Sequence, residues 1–339
     1  MKRATWMYGI LLAMLLGAAW VQWTAEAPVD LEGKVVVLQG EADAITEVRW
    51  VSEDNEATVR RLSDAYGNYY WVDYTRWKET KLPSARSAED TGDAEAEIER
   101  VATRSAFKGS EKAKALMDSL SPLAARRALT ISDDGKLEQL GLLTPGSRVE
   151  IDRAGSTEVL EIGAESYGTR DYYVRHVGTG QIYLFERDLI QPLKYARTRL
   201  PDRRLLGLER ADLRSATLTV GGDTQTWTQV HGDDQRKAHW VHPDSPDTVA
   251  EQATTWLDQF LKLKGTKYAD PDQPPEDLQG RFTVALGAGR ERTTVTVSQV
   301  GSEGDWYAAS EHTRGLIKLV RSGASGLAAD ISGLMVASE

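Results

Sequence analysis

Hydrophobic residues are distributed in two different ways along this chain. Residues 4–25 form an uninterrupted run without a charged side chain, whereas apolar and polar residues alternate between glycine-containing turns from residue 31 onward. A helix of these 22 residues is about 33 Å long, which is enough to cross a hydrocarbon core of roughly 30 Å. The first pattern predicts one N-terminal transmembrane helix, and the second predicts a β-rich body.

Basic and aromatic residues flank the predicted transmembrane helix in the arrangement typical of a membrane anchor. Lys2 and Arg3 precede it, and positive charges mark the cytoplasmic side of a span. Tryptophan and tyrosine collect at the two membrane–water interfaces. Four such residues lie near the ends of the segment: Trp6, Tyr8, Trp20 and Trp23. We expect residues 1–27 to form a cytoplasmic tip and a single-pass anchor in a bacterial inner membrane, with the remaining chain in the periplasm.

A cleaved signal peptide is the alternative interpretation of this segment. Ala25-Glu26-Ala27 resembles a small-residue cleavage site. The apolar run is longer than the roughly 7–15 residues of a signal-peptide core, however, and Pro28 would directly follow the cut. These features favour a retained helix.

The first half of the body combines strand patterns with one amphipathic helix. Residues 45–51 alternate in period two and residues 69–72 follow a turn, which predicts a hairpin. Apolar residues recur at helical spacing within residues 113–120, between Ser110 and Pro122, which predicts a short helix with one buried face. Four further strands are predicted at residues 148–151, 158–162, 172–176 and 181–185.

The order of these elements recurs in the second half. Strand patterns at residues 213–220 and 239–241 precede a helical pattern at about 247–262, and Ser245-Pro246 is placed to start that helix. Four strand patterns follow, at residues 282–286, 293–297, 306–307 and 316–320. We predict an α+β, β-rich fold with two tandem β-β-α-β-β-β-β repeats outside the membrane. A chance likeness between two β-rich halves is the alternative.

The first repeat carries an additional acidic insertion at about residues 78–107. Acidic side chains cluster there among few apolar ones, as at Glu89, Asp90 and Asp93. We expect a solvated insertion, and a docking loop for a basic partner surface is the alternative. The predicted domains are then residues 28–200 and residues 201–339.

Composition and charge exclude several classes of function. The formal net charge is −10, so most of the surface repels phosphate backbones and we expect no nucleic-acid partner. The chain has no cysteine, which excludes a thiol nucleophile and a thiolate zinc site. It also lacks the Gly-x-Ser-x-Gly nucleophile elbow of hydrolases, the His-Glu-x-x-His motif of zinc proteases and the Walker phosphate-binding loop. We expect no enzyme activity, no catalytic residue and no cofactor.

Three histidines lie close in sequence, at His231, His239 and His242, with aspartates beside them. A metal site needs side chains that converge and a surrounding shell of hydrogen bonds. Because these histidines fall across a predicted hairpin, we expect ordinary turn and strand positions and no metal site.

A basic cluster lies where the two predicted repeats join. It includes Arg197, Arg199, Arg203 and Arg204, against an acidic background. A solvated linker explains such a cluster. The alternative is an anionic contact, either with an acidic partner surface or with the adjacent membrane leaflet, because clustered cations attract such ligands.

Two short motifs resemble a known family. Residues 137–145 are similar to its Gly-Leu-x-x-Pro turn before a strand, and residues 171–175 are similar to its Tyr-Tyr-Val-Arg strand. With the preceding hairpin and single helix, the chain resembles the membrane-anchored extracytoplasmic proteins of the DUF4340 family, a domain of unknown function found alongside gliding-motility-type ABC transporter subunits. The likeness covers about residues 45–211 in register. It implies a β-rich accessory protein beside an ABC transporter and supplies no catalytic residues.

These patterns lead to two hypotheses of function. The first is a non-enzymatic accessory or scaffold subunit whose partners are an ABC transporter permease and its associated subunits, and whose helix contacts the membrane. The second is a module that binds a cell-envelope glycan or peptide, because tyrosine and tryptophan make good recognition surfaces. Trp227, Trp240 and Trp306 are its candidates, provided that they are exposed on one face.

Overall fold

The computed structural model centres on two large antiparallel sheets with helices packed against them. It describes residues 31, 33–81, 98–153, 155–234, 236–270 and 272–335. The predicted membrane anchor, with Trp6, Tyr8, Trp20 and Trp23, lies outside these residues. Within them, no helix has both the length and the apolar composition needed to cross a bilayer.

The first half of the described chain contains eleven strands and four α-helices. The strands are β1 (Val35–Leu38), β2 (Ile45–Ser52), β3 (Asn55–Asp64), β4 (Gly67–Lys81), β5 (Ile98–Lys108), β6 (Leu123–Ala125), β7 (Arg127–Leu129), β8 (Ser147–Arg153), β9 (Ser156–Glu165), β10 (Tyr172–His176) and β11 (Ile182–Phe185). The helices are α1 (Glu111–Ser119), α2 (Asp134–Gln139), α3 (Arg187–Lys194) and α4 (Ala196–Arg199). β1 pairs with β6, and the other strands form one sheet in the order β5-β4-β3-β2-β8-β9-β10-β11-β7.

The second half of the described chain contains nine strands and two α-helices. The strands are β12 (Ser215–Val220), β13 (Asp223–Val230), β14 (His239–His242), β15 (Ser245–Val249), β16 (Gly265–Tyr268), β17 (Leu278–Ala288), β18 (Glu291–Val300), β19 (Trp306–Ser310) and β20 (Ile317–Leu319). The helices are α5 (Glu251–Leu261) and α6 (Arg321–Leu334). All nine strands form one sheet, in the order β15-β14-β13-β12-β17-β18-β19-β20-β16.

The two large sheets have the same strand order when each is numbered along its own chain segment. In each sheet the first four strands lie side by side in chain order, from a central strand, β2 or β12, to an edge strand, β5 or β15. The next strand, β7 or β16, forms the opposite edge. Four strands then fill the space between, beginning with β8 or β17 beside the central strand.

Alternation along the strands explains why each sheet buries one face. On β8, Val149 and Ile151 are fully buried, whereas Arg148 is exposed and Glu150 is half-buried. Successive side chains of a strand point to opposite faces, so the apolar members of the sheet form one continuous layer. One buried cluster extends from Leu38 to Leu200 in the chain and a second extends from Leu205 to Leu334.

Helices cover the apolar face of each sheet. α1 follows Ser110, whose side-chain oxygen accepts the backbone N–H of Lys112 at 3.3 Å and caps the helix. It buries Ala113, Leu116 and Met117, which confirms the predicted helix and its buried face.

An aromatic cluster holds the two helices of the second half to their sheet. The ring of Trp256 on α5 stacks on Phe260 with centroids 5.6 Å apart, and it meets Phe282 of β17 edge-on at 5.7 Å. The indole N–H of Trp256 donates to the carbonyl of Leu327 on α6 at 2.9 Å. This side chain therefore joins both helices and the sheet.

The second helix begins later than its pattern predicts. Ser245-Pro246 was expected to start it, but Ser245–Val249 is strand β15, which pairs with β14. All five residues of β15 are exposed, so no apolar alternation marks it as a strand. The helix begins at Glu251.

Each sheet also contains more strands than the predicted repeat. The predicted unit has six strands, whereas each large sheet of the described chain has nine. Both ends of the predicted acidic insertion are strand: residues 78–81 extend the predicted strand 69–72 to form β4, and residues 98–107 belong to the additional strand β5, which pairs with β4 from Trp71 with Lys108 to Lys81 with Ile98. The remainder of that insertion, residues 82–97, lies outside the described residues.

Leu160 provides a test of the first core. It lies on β9 and is fully buried, so we expect Leu160→Ala to lower the free energy of unfolding by about 2–5 kcal/mol through lost burial and a residual cavity. Urea unfolding followed by tryptophan fluorescence measures this change. Leu143, which is half exposed, is the matched control, and Leu143→Ala should change stability by less than about 0.5 kcal/mol. Equal effects of the two substitutions would contradict this core.

Candidate functional site

A short extended linker joins the two buried clusters and contacts both sheets. It comprises residues 200–205 and passes between the end of β5 and the start of β16. The N–H of Asp202 donates to the carbonyl of Lys108 at 2.9 Å, and the N–H of Gly265 donates to the carbonyl of Arg203 at 2.9 Å. The linker is therefore held by backbone hydrogen bonds to one edge strand of each sheet.

A buried carboxylate lies at the centre of this joint. The side chain of Asp202 is almost fully buried, and one of its oxygens lies 3.1 Å from Lys108 Nζ and 2.9 Å from His312 Nε2. Its other oxygen accepts the Nε–H of Arg204 at 3.1 Å. Lys108 belongs to the first sheet and His312 follows β19 of the second, so one carboxylate connects both halves of the chain.

Burial and charge set the ionisation of this group. Burial alone would raise the pKa of Asp202, but hydrogen bonds from His312 and Arg204 and the charge of Lys108 hold that pKa well below its usual range. Burial lowers the pKa of Lys108, and Asp202 opposes this only in part. Burial likewise lowers the pKa of His312 against the hydrogen bond with Asp202. Asp202 is therefore the fixed negative charge of the joint.

Aromatic and ionic contacts also connect the two halves on either side of Asp202. The hydroxyl of Tyr268 donates to the Asp202 carbonyl at 2.9 Å, and the Tyr268 ring lies 6.2 Å from that of Phe107. Further along, Arg314 binds both oxygens of Asp64, at 2.6 and 2.9 Å. Bidentate guanidinium–carboxylate pairs restrict the relative orientation of the two side chains as well as their distance. The two halves are therefore fixed relative to one another at two separated places.

A groove opens beside this joint, between the edge strands β5 and β16. Its volume is about 350 Å³, and the linker and α4 close its sides. Four cationic side chains line it: Arg104, Arg197, Arg203 and Lys267. Four serine and threonine residues lie among them: Thr103, Ser105, Thr198 and Thr266. Guanidinium, ammonium and hydroxyl groups are donors for carboxylate and phosphate oxygens, so the groove has the chemistry of an anion-binding site.

The four arginines predicted as an anionic contact do not form one surface. Arg197 and Arg203 both line the groove. Arg204 is turned toward Asp202 and belongs to the joint. Arg199 lies over the ring of Tyr195 and lines a different groove, between α1 and α3.

Two cations of the groove were missed because they are distant in sequence from the basic cluster. Arg104 is on β5 and Lys267 is on β16. Nothing in either strand pattern indicates that these strands lie side by side. The linker brings their edges together, because its backbone is hydrogen-bonded to both strands.

The other residues singled out in the sequence occupy ordinary positions. Trp227, Trp240 and Trp306 are all buried, so the proposed recognition face on these three tryptophans is wrong. The rings of His231 and His239 lie 5.9 Å apart. Among the residues that the structure describes, no histidine and carboxylate group of three or more could hold a metal ion.

Comparisons with known proteins identify one family. The family model described as "Domain of unknown function (DUF4340)" matches residues 107–280, just over half of the chain. A search of curated proteins found no match, and a search of solved structures found none. The matched residues begin in β5 and end in β17, so they include the linker and the β16 side of the groove but not Arg104.

Neutralising Asp202 tests the joint. We expect Asp202→Asn to lower the free energy of unfolding by about 3–5 kcal/mol, because it leaves Lys108 buried without its counter-charge. Urea unfolding measures the loss. The double variant Asp202→Asn with Lys108→Met should regain part of it, since removing both charges avoids an unpaired buried ion. A double variant less stable than Asp202→Asn alone would contradict this account.

The lowered pKa of His312 predicts that the stability of the joint decreases in acid. Because burial lowers its pKa, the unfolded chain binds more protons between the lowered pKa and the unfolded value of about 6.5. Stability should therefore fall as the pH falls through that window, by at most about 1.4 kcal/mol per pH unit for one proton. Asp202 adds a further loss at lower pH, as its depressed pKa is approached.

Unfolding free energies measured across this pH range test the role of His312. His312→Asn should make the pH dependence shallower. His231→Asn is the matched control, because His231 is exposed, and it should leave the pH dependence as in the unmodified protein. An unchanged slope in His312→Asn would contradict the assignment.

Proposed function

We propose that this chain, which belongs to the DUF4340 family, is a non-enzymatic scaffold or accessory subunit of an ABC transporter, anchored in the bacterial inner membrane. The buried joint is the observation that carries the proposal. It connects Lys108, Asp202 and His312 across the two halves, and a scaffold needs its parts held in a constant arrangement. The family match covers the linker and two residues of the joint, Lys108 and Asp202, whereas His312 lies beyond the matched residues.

The predicted anchor supports the location of this subunit. In this proposal the span predicted at residues 4–25 is the anchor, and the β-rich body lies in the periplasm. Small residues in the span, at Gly9, Gly17 and Ala18, permit close approach to the helices of a permease. The proposed partners are the permease and its associated subunits.

We also propose that the two halves are copies of one repeat. Support comes from the shared strand order of the two sheets. The predicted partners 45–51 and 213–220 lie at the same position of that order, as do 172–173 and 306–307. In each half a helix directly follows the last strand, α3 after β11 and α6 after β20.

The alternative function is a cell-envelope module that binds a glycan or a peptide. It needs exposed aromatic residues on one face, and the three tryptophans named for it are buried. The buried titratable groups of the joint contact one another rather than an open cleft, which supports a structural role for them.

Purification of the full-length protein from its native membrane tests this function. After mild-detergent extraction, mass spectrometry should find an ABC permease and its ATPase in stoichiometric amounts. A variant in which an unrelated transmembrane helix replaces residues 4–25 is the control that separates the contribution of the anchor from that of the body. Recovery of the protein alone, or with bound glycan, would contradict the transporter proposal and favour the envelope-binding module.

A further inference from the structure

We propose that the groove between β5 and β16 binds an extended acidic segment of a partner polypeptide. This inference goes beyond the scaffold function and does not depend on the identity of the transporter. It rests on the charges in the groove and on the two sheet edges that form its walls.

Three of the four cations of the groove make no salt bridge within the described residues. Most arginines on the first sheet are paired, as Arg49 is with Glu56 at 2.6 Å and Arg60 is with Glu47 at 3.2 Å. By contrast, Arg197, Arg203 and Lys267 make no salt bridge within the described residues. These three charges converge on one concavity in a chain whose net charge is −10. Converging unpaired cations favour an external anion.

The remaining charges of the groove do not neutralise it. Arg104 meets Asp272 at 3.5 Å, and both side chains are more than half exposed, so this ion pair is weak. Among the described residues that line the groove, Asp270 is the one carboxylate. The lining therefore keeps an excess of positive charge at neutral pH.

The walls of the groove favour a polypeptide over a free anion or a membrane surface. β5 and β16 are each the last strand of their sheet in the described chain, and an edge strand presents unpaired backbone N–H and C=O groups. An extended peptide can pair with such an edge while its side chains reach neighbouring groups. A flat leaflet cannot follow a concavity between two strands.

The linker already shows this mode of contact at one end of the groove. Its backbone accepts from Gly265 of β16 and donates to Lys108 of β5, both at 2.9 Å. A partner segment lying in line with the linker would meet Arg203 first and then Lys267. Carboxylates of that segment would accept charge-assisted hydrogen bonds from these cations. The volume of about 350 Å³ accommodates a short stretch of chain rather than a folded domain.

Fluorescence anisotropy tests this binding with the full chain and a labelled deca-glutamate peptide. We expect saturable binding that weakens as salt is added, and no binding of a labelled deca-glutamine peptide, which has the same length and no charge. The double variant Arg197→Gln with Arg203→Gln should raise the Kd at least tenfold, because it removes two charged donors and keeps most of each side chain.

A matched control separates the groove from general surface charge. Arg199→Gln removes a cation that lies on α4, as Arg197 does, but outside the groove, and this variant should bind the peptide as the unmodified protein does. Thermal unfolding of all variants verifies that they are folded, and unchanged midpoints are expected because Arg197 and Arg203 are exposed and make no salt bridge.

Three outcomes would overturn the proposal. The first is equal peptide affinity of the double variant and the unmodified protein. The second is displacement of the peptide by inorganic phosphate at the same concentration, which would indicate a small-anion site. The third is binding to phosphatidylglycerol vesicles that the double variant loses while its peptide binding is retained, which would indicate contact with a membrane. None of these results bears on whether an ABC permease is recovered with the protein.

Discussion

The relative position of the two halves depends on one buried negative charge. Asp202 has three cationic or titratable neighbours, drawn from the first sheet, the linker and the second sheet. Removing a carboxylate from water is costly unless its hydrogen bonds are replaced, and these neighbours replace them only when both halves are docked. The carboxylate thereby makes the docked arrangement more favourable than arrangements in which the halves are rotated apart. The linker backbone fixes the position of β5 relative to β16, because it forms hydrogen bonds with both strands at the same time.

The sheets and the site are linked through this joint. Each sheet places its fourth and fifth strands at opposite edges, which brings β5 of one half and β16 of the other to the linker. Neither edge alone forms a groove. The concavity and its converging cations exist because Asp202, the linker backbone and the Arg314–Asp64 pair hold the two halves together, so the candidate site is a product of the docking and not of either half.

The sequence could predict the strands that alternate clearly and the helices with a marked apolar face. Residues 172–176 are strand β10 as predicted, and α1 begins after Ser110 as its cap indicates. Edge strands escaped prediction for a physical reason. β15 is exposed along its whole length and much of β5 is polar, so backbone pairing with a neighbour decides their structure, and a single sequence does not reveal that neighbour. For the same reason the sequence does not indicate that Arg104 and Lys267 belong to the groove, whereas Arg197 and Arg203 are close together in the sequence itself.

The cationic edges have a second consequence, for how copies of this protein behave toward each other. Open sheet edges invite edge-to-edge pairing between molecules, and charged side chains placed on an edge oppose it. Arg104 and Lys267 occupy the two edges that meet at the groove. When two copies approach through this face, like charges meet and repel, whereas an acidic strand meets no such barrier. The same side chains thus oppose self-association and leave the edges available to an acidic strand of another protein.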